Sequence, residues 1–391
     1  MSTAARPRGK LIVSGILFWY PLAGVTYQFL HYLLGLQRLG WDVYYVEDSA
    51  RWLYDPKRRV ITGDATENVA QVAPALAAHG FEGKWAFRGA YPEGRCYGMT
   101  ESQVLALYRE ADALLNVTGA QEIRDEQRAI PRRIYVESDP FGSQVKLFNG
   151  DAVFGALIDA HDTWFSFGEN LGQADCQVPL DRAWLPTRQP IVVDLWAPNG
   201  ANSGSRYNTI TTWHNDGKTV VYLGETYHWT KDREFAHYFE LPRARPGSSF
   251  ELATDANAAA REMLIRHGFV VRDALSVSST AEDYRAYIRG ARAEFTVARD
   301  QYVRPNTGWF SDRSASYLAA GKPVITQETG FSKTIPCGRG LFAFRTLDDV
   351  LGAVDAIESD YAAHSRAARE IASEYFGAEK ILASLLERAG L

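Results

Sequence analysis

One stretch of the chain, residues 304–340, combines residue types that bind phosphate groups. Ser311 and Asp312 precede a helical pattern, so we expect them to cap a helix whose first backbone N–H groups can face a ligand. Arg313, and Arg304 upstream, can add charge-assisted hydrogen bonds to phosphate oxygens. The stretch is therefore a candidate diphosphate site. The alternative is a capping aspartate beside a solvated arginine.

The elements around this stretch follow a repeating strand and helix pattern, which is typical of α/β proteins. The first βαβ unit is predicted from four segments: a strand at 10–18, a loop at 19–25, a helix at 26–39 and a strand at 42–47. The pattern continues with strands at 113–117, 133–137 and 163–167 and helices at 101–112 and 151–160. The carboxyl ends of such strands meet at one edge of a parallel sheet, where open α/β folds bind ligands.

A second series follows a Pro-rich segment that ends in the Asn/Gly/Ser stretch 199–205. Its strands are predicted at 219–223, 250–253, 269–272, 293–297 and 323–326, and its helices at 232–241, 257–267, 281–290, 314–320, 347–359 and 361–386. We therefore expect an N-terminal Rossmann-like domain, a crossover whose residues 190–196 could form a strand, a second Rossmann-like domain, and a C-terminal helix packing back on the first domain. The predicted boundaries are 1–185, 186–218, 219–360 and 361–391.

Composition and charge narrow the classes of function. At roughly 150 residues per domain, 391 residues correspond to two domains. The net charge is −5, so the chain lacks the positive excess that attracts nucleic acid or an anionic membrane. Cys96, Cys176 and Cys337 are far apart, which indicates neither a disulfide framework nor a zinc motif. We expect a cytoplasmic protein with no nucleic-acid partner and no transmembrane segment.

The second half of the chain resembles glycosyltransferases of the GT-B fold. It contains the family's features in order: a helix with an Ala-rich turn and a glycine, a Pro-Val-Ile strand, a Gly-rich loop, a short strand and an acidic helix. The matching segments are 317–321, 322–326, 329–332, 340–342 and 348–357. The likeness is closest to the retaining family 4 and to the CgeB-type (spore-maturation) glycosyltransferases, and it covers residues 219–391. It implies two Rossmann-like, doubly wound domains facing a cleft, with a helical C-terminal tail.

The resemblance implies roles for residues of the second domain. Gly224 and Lys231 resemble the pair that grips the donor diphosphate, and Arg313 matches a CgeB-type arginine. The implied diphosphate ligands are Lys231, Arg313, Ser314 and Arg304, and the implied ribose and sugar ligands are Ser316, Thr329, Gly330, Phe331 and Ser332. Ser316 stands where family 4 enzymes have a ribose-binding glutamate. Ribose binding must therefore differ here, either through the Ser316 or Ser314 hydroxyl or through another arrangement of the donor.

In the N-terminal half, the loop 19–25 resembles the first glycine-bearing loop of GT-B enzymes, and Gly24 would let a ligand approach the backbone. A plain strand-to-helix turn is the alternative. The loop lacks a histidine base, which favours a retaining over an inverting reaction. Asp139, before Pro140, is the preferred cleft acid, to bind acceptor hydroxyls or to act as a base. The alternative for Asp139 is a turn-forming role.

Three further residues are candidates for the cleft. Glu169 follows a predicted strand, and Trp229 and Trp309 lie on predicted loops of the second domain. The two indole rings could stack on a sugar or aglycone ring, with core packing as the alternative.

Together these features predict a metal-independent, retaining glycosyltransferase that moves a sugar from a nucleoside diphosphate sugar to a small-molecule or glycan acceptor. No Asp-X-Asp motif and no His/Cys cluster occurs, so helix amides, Lys231 and Arg313 would neutralise the leaving diphosphate without a metal or other cofactor. The alternatives are a sugar-nucleotide epimerase of the same fold, a non-catalytic sugar-nucleotide-binding protein, and an NAD-dependent oxidoreductase with Glu47 as its ribose acid.

Overall fold

Two parallel β-sheets, one in each half of the chain, organise the molecule. The computed structural model describes residues 8–49, 52–89, 95–197 and 204–391. The N-terminal strands are β1 (Lys10–Ser14), β2 (Asp42–Glu47), β3 (Leu53–Asp55), β4 (Val60–Thr62), β5 (Trp85–Arg88), β6 (Cys96–Gly98), β7 (Ala113–Val117), β8 (Arg132–Glu137), β9 (Thr163–Ser166) and β10 (Leu185–Pro186). The helices of this half are α1 (Ala23–Arg38), α2 (Thr66–Ala78), α3 (Glu101–Glu110), α4 (Gly142–Phe148) and α5 (Ala152–Asp159).

The N-terminal sheet has the strand order β10-β9-β8-β7-β1-β2-β5-β6, and every pairing in it is parallel except that of β5 with β6. Strands β3 and β4 form a separate antiparallel hairpin. Leu11, Ile12 and Val13 of the central strand are fully buried, as expected for an apolar strand covered on both faces. Because β2 and β7 lie on opposite sides of β1, the order of the chain reverses there, next to the first loop.

The C-terminal half contains the second sheet, one hairpin and the remaining helices. Its strands are β11 (Arg206–Thr211), β12 (Val220–Tyr222), β13 (Glu225–Tyr227), β14 (Ser249–Thr254), β15 (Val270–Asp273), β16 (Ala293–Thr296), β17 (Val324–Gln327) and β18 (Leu341–Phe344). Its helices are α6 (Asp232–Ala236), α7 (Leu241–Ala244), α8 (Ala258–Arg266), α9 (Ala281–Arg289), α10 (Asp300–Val303), α11 (Asp312–Ala319), α12 (Leu347–Ser359), α13 (Tyr361–Phe376) and α14 (Ala378–Arg388). The sheet is fully parallel, in the order β15-β14-β11-β16-β17-β18.

The start of the second sheet differs from the sequence prediction. Residues 219–223 were expected to form its first strand, but β12 pairs only with β13, in an antiparallel hairpin. The turn of this hairpin places Leu223 and Gly224 at positive φ, which stops the strand after Tyr222. The central strand is instead β11, inside the expected crossover. Residues 198–203 of that crossover lie outside the described residues, and residues 193–196 form a 3₁₀ turn rather than a strand.

The last helices return the chain to the N-terminal lobe. The predicted helix 361–386 is two helices, which meet at Gly377, and α13 packs on α11 whereas α14 packs on α1. Gly35 permits the close approach of α14, because a Cβ atom there would lie 2.5 Å from Leu382 and 2.9 Å from Ala378. Among the described helices, none has both the length and the apolar character needed to cross a lipid bilayer.

Candidate functional site

A crevice opens at the carboxyl edge of the C-terminal sheet, between β11 and β16. These strands pair only at Tyr207 with Ala293 and at Asn208 with Glu294, so they separate toward their carboxyl ends. The next strand of this sheet along the chain, β14, pairs with the opposite side of β11. The strand order therefore reverses between β11 and β16. Ligands of open α/β folds bind at such points.

Arg313 occupies this crevice. Its guanidinium donates hydrogen bonds to Glu294 Oε1 (2.6 Å), the Ile210 carbonyl (2.7 Å) and Thr296 Oγ1 (2.9 Å), which employs three of its five N–H groups. The side chain is 13% exposed. Arg313 is not solvated, and because Glu294 balances its charge it is not a freely available cation either. Arg313 shapes the crevice and can offer an anion only its remaining N–H groups.

The turn that begins α11 differs from the predicted cap. Ser311 takes the N-cap position, but its side chain makes no capping hydrogen bond, and Asp312 is already the first helical residue. Ser314 is fully buried, and its hydroxyl has no partner among the described residues. The Ser316 hydroxyl donates to the Asp312 carbonyl at 3.1 Å. The first turn of α11 therefore keeps its backbone N–H groups free of a side-chain cap.

Lys231 is the second cation at this edge. Its backbone N–H donates to the Trp213 carbonyl at 3.2 Å, which holds the residue beyond the end of β11. The side chain is 4% exposed, and among the described residues no group forms a hydrogen bond or an ion pair with Nζ. Burial, with the nearby charges of Arg313 and Arg299, lowers the pKa of Lys231 well below its usual value. A buried ammonium group without a counter-ion is unfavourable unless an anion joins it.

Arg299 completes the positive cluster and was not among the residues predicted from the sequence. It follows β16, donates from Nε to the Trp229 carbonyl (2.8 Å) and lies 3.8 Å from the centre of the Trp229 ring. The signal for it was its position, three residues after the end of a buried strand. We call Lys231, Arg299 and Arg313 the cationic cluster.

The two tryptophans expected to stack on a sugar are packed against protein. Trp229 is 6% exposed, with Arg299 on its ring and Lys218 at 4.6 Å from its centre. Trp309 stacks on Tyr302 at 4.2 Å and donates from Nε1 to the Ser138 carbonyl of the other lobe (2.9 Å). In this structure both rings pack in the cleft wall, and their contact with a sugar stays a prediction.

Asp139 projects from the N-terminal lobe beyond β8 and faces the same region. Its carboxylate accepts a hydrogen bond from the Tyr302 hydroxyl (2.5 Å) and lies 3.5 Å from Lys218 Nζ. Burial raises the pKa of Asp139, but Lys218, Arg299 and the Tyr302 hydroxyl together bring it below its usual value. Asp139 is thus an ionised group brought to the cationic cluster from the opposite lobe.

The Gly-rich loop after β17 is shaped by Glu328, another residue missed from the sequence. Glu328 is 5% exposed, and its Oε1 accepts from the backbone N–H groups of Gly330 (2.6 Å) and Ser332 (3.5 Å). Thr329 donates to the Trp309 carbonyl, and Phe331 packs edge-on against Phe310. Gly330 has φ +100°, a conformation that favours glycine. The exposed Ser332 is the member of this loop that can meet a ligand with its side chain.

Two other predicted site residues, Gly24 and Glu169, lie elsewhere in the interface between the lobes. Gly24 belongs to the first turn of α1 rather than to a loop, and a Cβ atom there would lie 3.5 Å from the Tyr284 hydroxyl. Glu169 pairs with Arg188 and accepts from the Thr334 hydroxyl (2.6 Å). Both therefore join the two lobes.

The structure does not bring Arg304 to the cationic cluster. Its guanidinium pairs with Asp300 (2.7 Å) and Glu225 (2.9 Å) and lies 3.8 Å from the centre of the Tyr227 ring. It fastens the β12–β13 hairpin to α10.

Carboxylates at the strand ends of the N-terminal sheet have structural partners. Glu47 accepts from the backbone N–H groups of Phe18 (2.8 Å) and Trp19 (2.7 Å) and from the Tyr45 hydroxyl (2.7 Å). Burial raises the pKa of Glu47 to about 8 despite these donors. Because it holds the first loop and is fully buried, Glu47 is unsuited to bind a dinucleotide ribose. Within the described ranges, no group of three or more His, Cys, Asp or Glu residues could hold a metal ion.

Comparison with known proteins found similar structures but no similar sequence. No family model and no curated protein sequence matches the chain. An alpha-glucosyltransferase in complex with UDP superimposes with a TM-score of 0.62 at 8% identity, covering 98% of this chain and 100% of the other. AviGT4, a glycosyltransferase involved in avilamycin A biosynthesis, superimposes with a TM-score of 0.55 at 11% identity, covering 98% of this chain and 97% of the other.

A third neighbour carries the name of a different class of enzyme. A protein of Listeria monocytogenes that carries the name UDP-N-acetylglucosamine 2-epimerase gives a TM-score of 0.50 at 12% identity, covering 96% of this chain and 94% of the other. At such identities the likeness concerns the fold. The chain has the GT-B architecture, with two Rossmann-like domains facing one another.

Proposed function

We propose that this protein is a glycosyltransferase that takes its sugar from a nucleoside diphosphate sugar. The observation that carries the proposal is Lys231, whose buried amino group forms no ion pair with any described residue and lies beside Arg299 and Arg313, at the carboxyl edge of a Rossmann-like sheet. A diphosphate fits this place because it supplies the anion that the described residues do not. Glycosyltransferases among the structural neighbours, one of them with bound UDP, support the same assignment.

The departure of the diphosphate requires that its growing negative charge be neutralised. Lys231, the uncapped N–H groups of α11 and the remaining N–H groups of Arg313 would do so at the position where the charge develops. These groups are fixed by the fold, so they need no reorganisation during the reaction. We therefore propose a reaction without a metal ion, in which protein cations and backbone dipoles take the part that a divalent cation plays elsewhere.

Asp139 would act on the acceptor side. A general base works best with a pKa near the operating pH, and the lowered pKa of Asp139 makes it a weak base. Its ionised carboxylate is better suited to orient an acceptor hydroxyl from the lobe opposite the donor. We further propose retention of the anomeric configuration, since the segment between β1 and α1 offers no histidine base. The acceptor would be a small molecule or a glycan, in a protein of the cytoplasm.

The second candidate function is a sugar-nucleotide epimerase, which the likeness to the Listeria protein favours. An epimerase would use the same diphosphate site and need no acceptor. Turnover of the donor sugar without any acceptor, with the nucleotide bond intact, distinguishes this activity from transfer.

The experiment that tests the proposal is a titration of the full chain with UDP, GDP, ADP and dTDP by calorimetry, at low and physiological salt. We expect saturable binding of one or more of them, weakened by salt because the site is cationic. Absence of binding to all four would overturn the proposal. Sugar nucleotides of the base that binds would then be screened by thermal shift, because a ligand of the folded state raises Tm.

A further inference from the structure

A row of aromatic side chains lies at the rim of the N-terminal lobe and has no part in the donor site. Trp19 and Tyr20, in the loop after β1, stack with their ring centres 5.8 Å apart, and the Tyr20 ring lies 6.2 Å from that of Tyr54 in β3. Ile61 of β4 is the cross-strand partner of Tyr54 and is 58% exposed. Paired residues of a hairpin share a face, so Ile61 extends the row. We call Trp19, Tyr20, Tyr54 and Ile61 the aromatic strip.

Backbone hydrogen bonds hold the strip in place and leave its rings accessible. The Tyr54 N–H donates to the Trp19 carbonyl (3.0 Å), and the Asn68 side-chain amide donates to the carbonyls of Phe18 (2.7 Å) and Tyr54 (3.0 Å). These bonds fasten the β3–β4 hairpin to the first loop. Tyr20 is exposed, and Trp19 and Tyr54 are half-buried. Aromatic rings that the fold fixes at its surface in this way are typical of a binding surface.

The hairpin reaches the C-terminal lobe, so the strip borders the cleft. Arg59, in the turn between β3 and β4, forms an ion pair with Asp273 at the end of β15 (2.8 Å). Burial raises the pKa of Tyr54, the charge of Arg59 lowers it, and the charges of Asp255 and Asp273 raise it. No described residue forms a hydrogen bond with the Tyr54 hydroxyl. This hydroxyl therefore lies across the cleft from two carboxylates of the other lobe and is available to a ligand.

Asp255 connects the strip with the place proposed for the diphosphate. Its Oδ1 accepts from the Trp213 N–H (2.6 Å), and the Trp213 carbonyl accepts from the Lys231 N–H (3.2 Å). Asp255 is exposed, and its Oδ2 has no hydrogen-bond partner among the described residues. A ligand on the strip can therefore place one end at Asp255, next to the cationic cluster.

The chemistry of the strip and of Asp255 favours a carbohydrate. Aromatic faces pack against apolar ring faces, whereas carboxylates and phenol hydroxyls bind hydroxyl groups. A sugar ring carries both features, because C–H groups cover its faces and hydroxyls surround its edge. Three aromatic rings in a row extend beyond one sugar ring, so the strip suits a chain of sugars.

The charges of the hairpin argue against a membrane as the occupant. Lys57, Arg58 and Arg59 each form an ion pair with a carboxylate of the protein. Exposed rings beside free cations would favour an anionic bilayer, but here the cations are neutralised. A neutral ligand fits this surface better.

We propose that the aromatic strip binds an oligosaccharide acceptor, with Asp255 accepting hydrogen bonds from its hydroxyls. The inference rests on the proposed function, because the end of the oligosaccharide at Asp255 is the end that would receive the sugar. It narrows the acceptor to a glycan of more than one sugar and identifies the surface that selects it.

The test begins with an array of immobilised neutral glycans, from single sugars to hexasaccharides. The full chain is applied with and without a saturating concentration of UDP, GDP, ADP or dTDP, and each glycan that binds is then titrated by calorimetry. We expect oligosaccharides to bind more tightly than the single sugars they contain. Tyr20→Ala and Tyr54→Ala should each weaken the oligosaccharide roughly two- to tenfold, the range for one aromatic contact. Tyr20→Phe and Tyr54→Phe keep the rings and should retain most of the affinity.

Phe148→Ala is the matched control. Phe148 is an aromatic residue with 55% exposure that lies against Tyr222 rather than the strip, so its loss should change glycan affinity by less than about twofold. Nucleotide affinity should likewise stay within about twofold in all these variants, and thermal melting shows that each is folded.

The outcomes separate the strip from the donor site. If a nucleotide binds but no glycan of the array does, or if glycan binding is the same in wild type, Tyr20→Ala and Tyr54→Ala, the assignment of the strip is overturned. If a glycan binds through the strip and no nucleotide binds, the strip stands as a glycan site and the proposed function fails, and with it the role of the glycan as acceptor.

Discussion

The carboxyl edges of the two sheets treat their buried charges in opposite ways. In the N-terminal lobe, Glu47 holds three donors of its own lobe, and Glu137 accepts from Gln144 (2.6 Å) and Ser166 (2.7 Å). In the C-terminal lobe, no described residue forms a hydrogen bond or an ion pair with Lys231 Nζ, and Arg299 donates to the Trp229 carbonyl, lies over the Trp229 ring and interacts with Tyr302 and with the charge of Asp139. The same position in the same kind of fold is therefore scaffold in one lobe and, in our proposal, an anion site in the other.

This difference indicates how a ligand-binding charge can be distinguished from a structural one. A charged residue at a strand end is a candidate site residue in either lobe. A carboxylate whose oxygens already accept hydrogen bonds from the protein, however, has a structural role. A buried charge that the fold leaves unpaired lowers stability, so it persists where a ligand or a reaction requires it. The unpaired state of the charge, rather than its position alone, identifies the site.

The largest effect is expected from Lys231→Met, which keeps a long unbranched side chain and removes its charge. Loss of one partner of a buried charge pair typically weakens binding by about 2–5 kcal/mol, so nucleotide affinity should fall roughly 30-fold to several thousandfold. The free protein should become more stable, because an unpaired buried cation is gone. Calorimetry and urea denaturation measure the two effects.

Lys322→Met is the matched control for this change. Lys322 is also buried, at 6% exposed, and burial beside Arg292 lowers its pKa to about 8, but it precedes β17 at the amino edge of the same sheet. Its replacement should leave nucleotide affinity within about twofold. Equal losses of nucleotide affinity in the two variants would show that removing any buried lysine has this effect, and the contrast between the edges would fail.

The substitution Glu47→Ala tests the carboxyl edge of the N-terminal sheet. Its effect should appear in the free energy of unfolding alone. The change leaves the Phe18 and Trp19 N–H groups and the Tyr45 hydroxyl without their acceptor, and an unsatisfied buried donor costs about 1–3 kcal/mol. We expect a loss of that size in the free energy of unfolding, with nucleotide affinity preserved in the folded fraction. A loss of affinity like that of Lys231→Met would place Glu47 in the binding site.

A pH series sharpens the comparison at Lys231. Its pKa is lowered in the fold, so between that pKa and about 10.4 the unfolded chain binds more protons, and stability rises with pH. The stability advantage of Lys231→Met over wild type should therefore be largest at neutral pH and shrink as pH rises, by at most about 1.4 kcal/mol per unit. Nucleotide affinity of the wild type should fall over the same rise. A pH-independent difference between the proteins would contradict a buried, unpaired ammonium.

Much of the fold was predictable because parallel strands buried on both faces are short apolar runs. Strands β1, β2, β7, β8 and β9 all lie within or beside predicted segments. Strand β11 was missed because it carries polar residues in the interior, including Asn208, which accepts from the Tyr317 hydroxyl at 2.9 Å. That partner is distant in sequence, so no local pattern could reveal why a polar strand is buried.

The sequence could predict the region of the candidate site, but not the individual contacts of its side chains. The structure brings Lys231, Arg313 and Asp139 into one electrostatic neighbourhood from three separate segments. Sequence could not decide between Arg299 and Arg304, since both follow the same strand. The choice depends on Glu225, whose carboxylate reaches Arg304 from the hairpin. Which arginine forms a carboxylate ion pair within its own lobe is therefore a property of the tertiary fold.

The smallest effect is expected from Arg304→Ala. This guanidinium is partly exposed and pairs with Asp300 and Glu225, so its loss should lower the free energy of unfolding by less than about 1 kcal/mol. Nucleotide affinity should stay within about twofold, whereas Arg299→Ala should lower it roughly tenfold. Equal losses for the two arginines would mean that the β12–β13 hairpin moves Arg304 onto the bound nucleotide, since its charge is otherwise neutralised where it lies. The binding edge would then include the hairpin, and an existing carboxylate partner would no longer exclude a residue from the site.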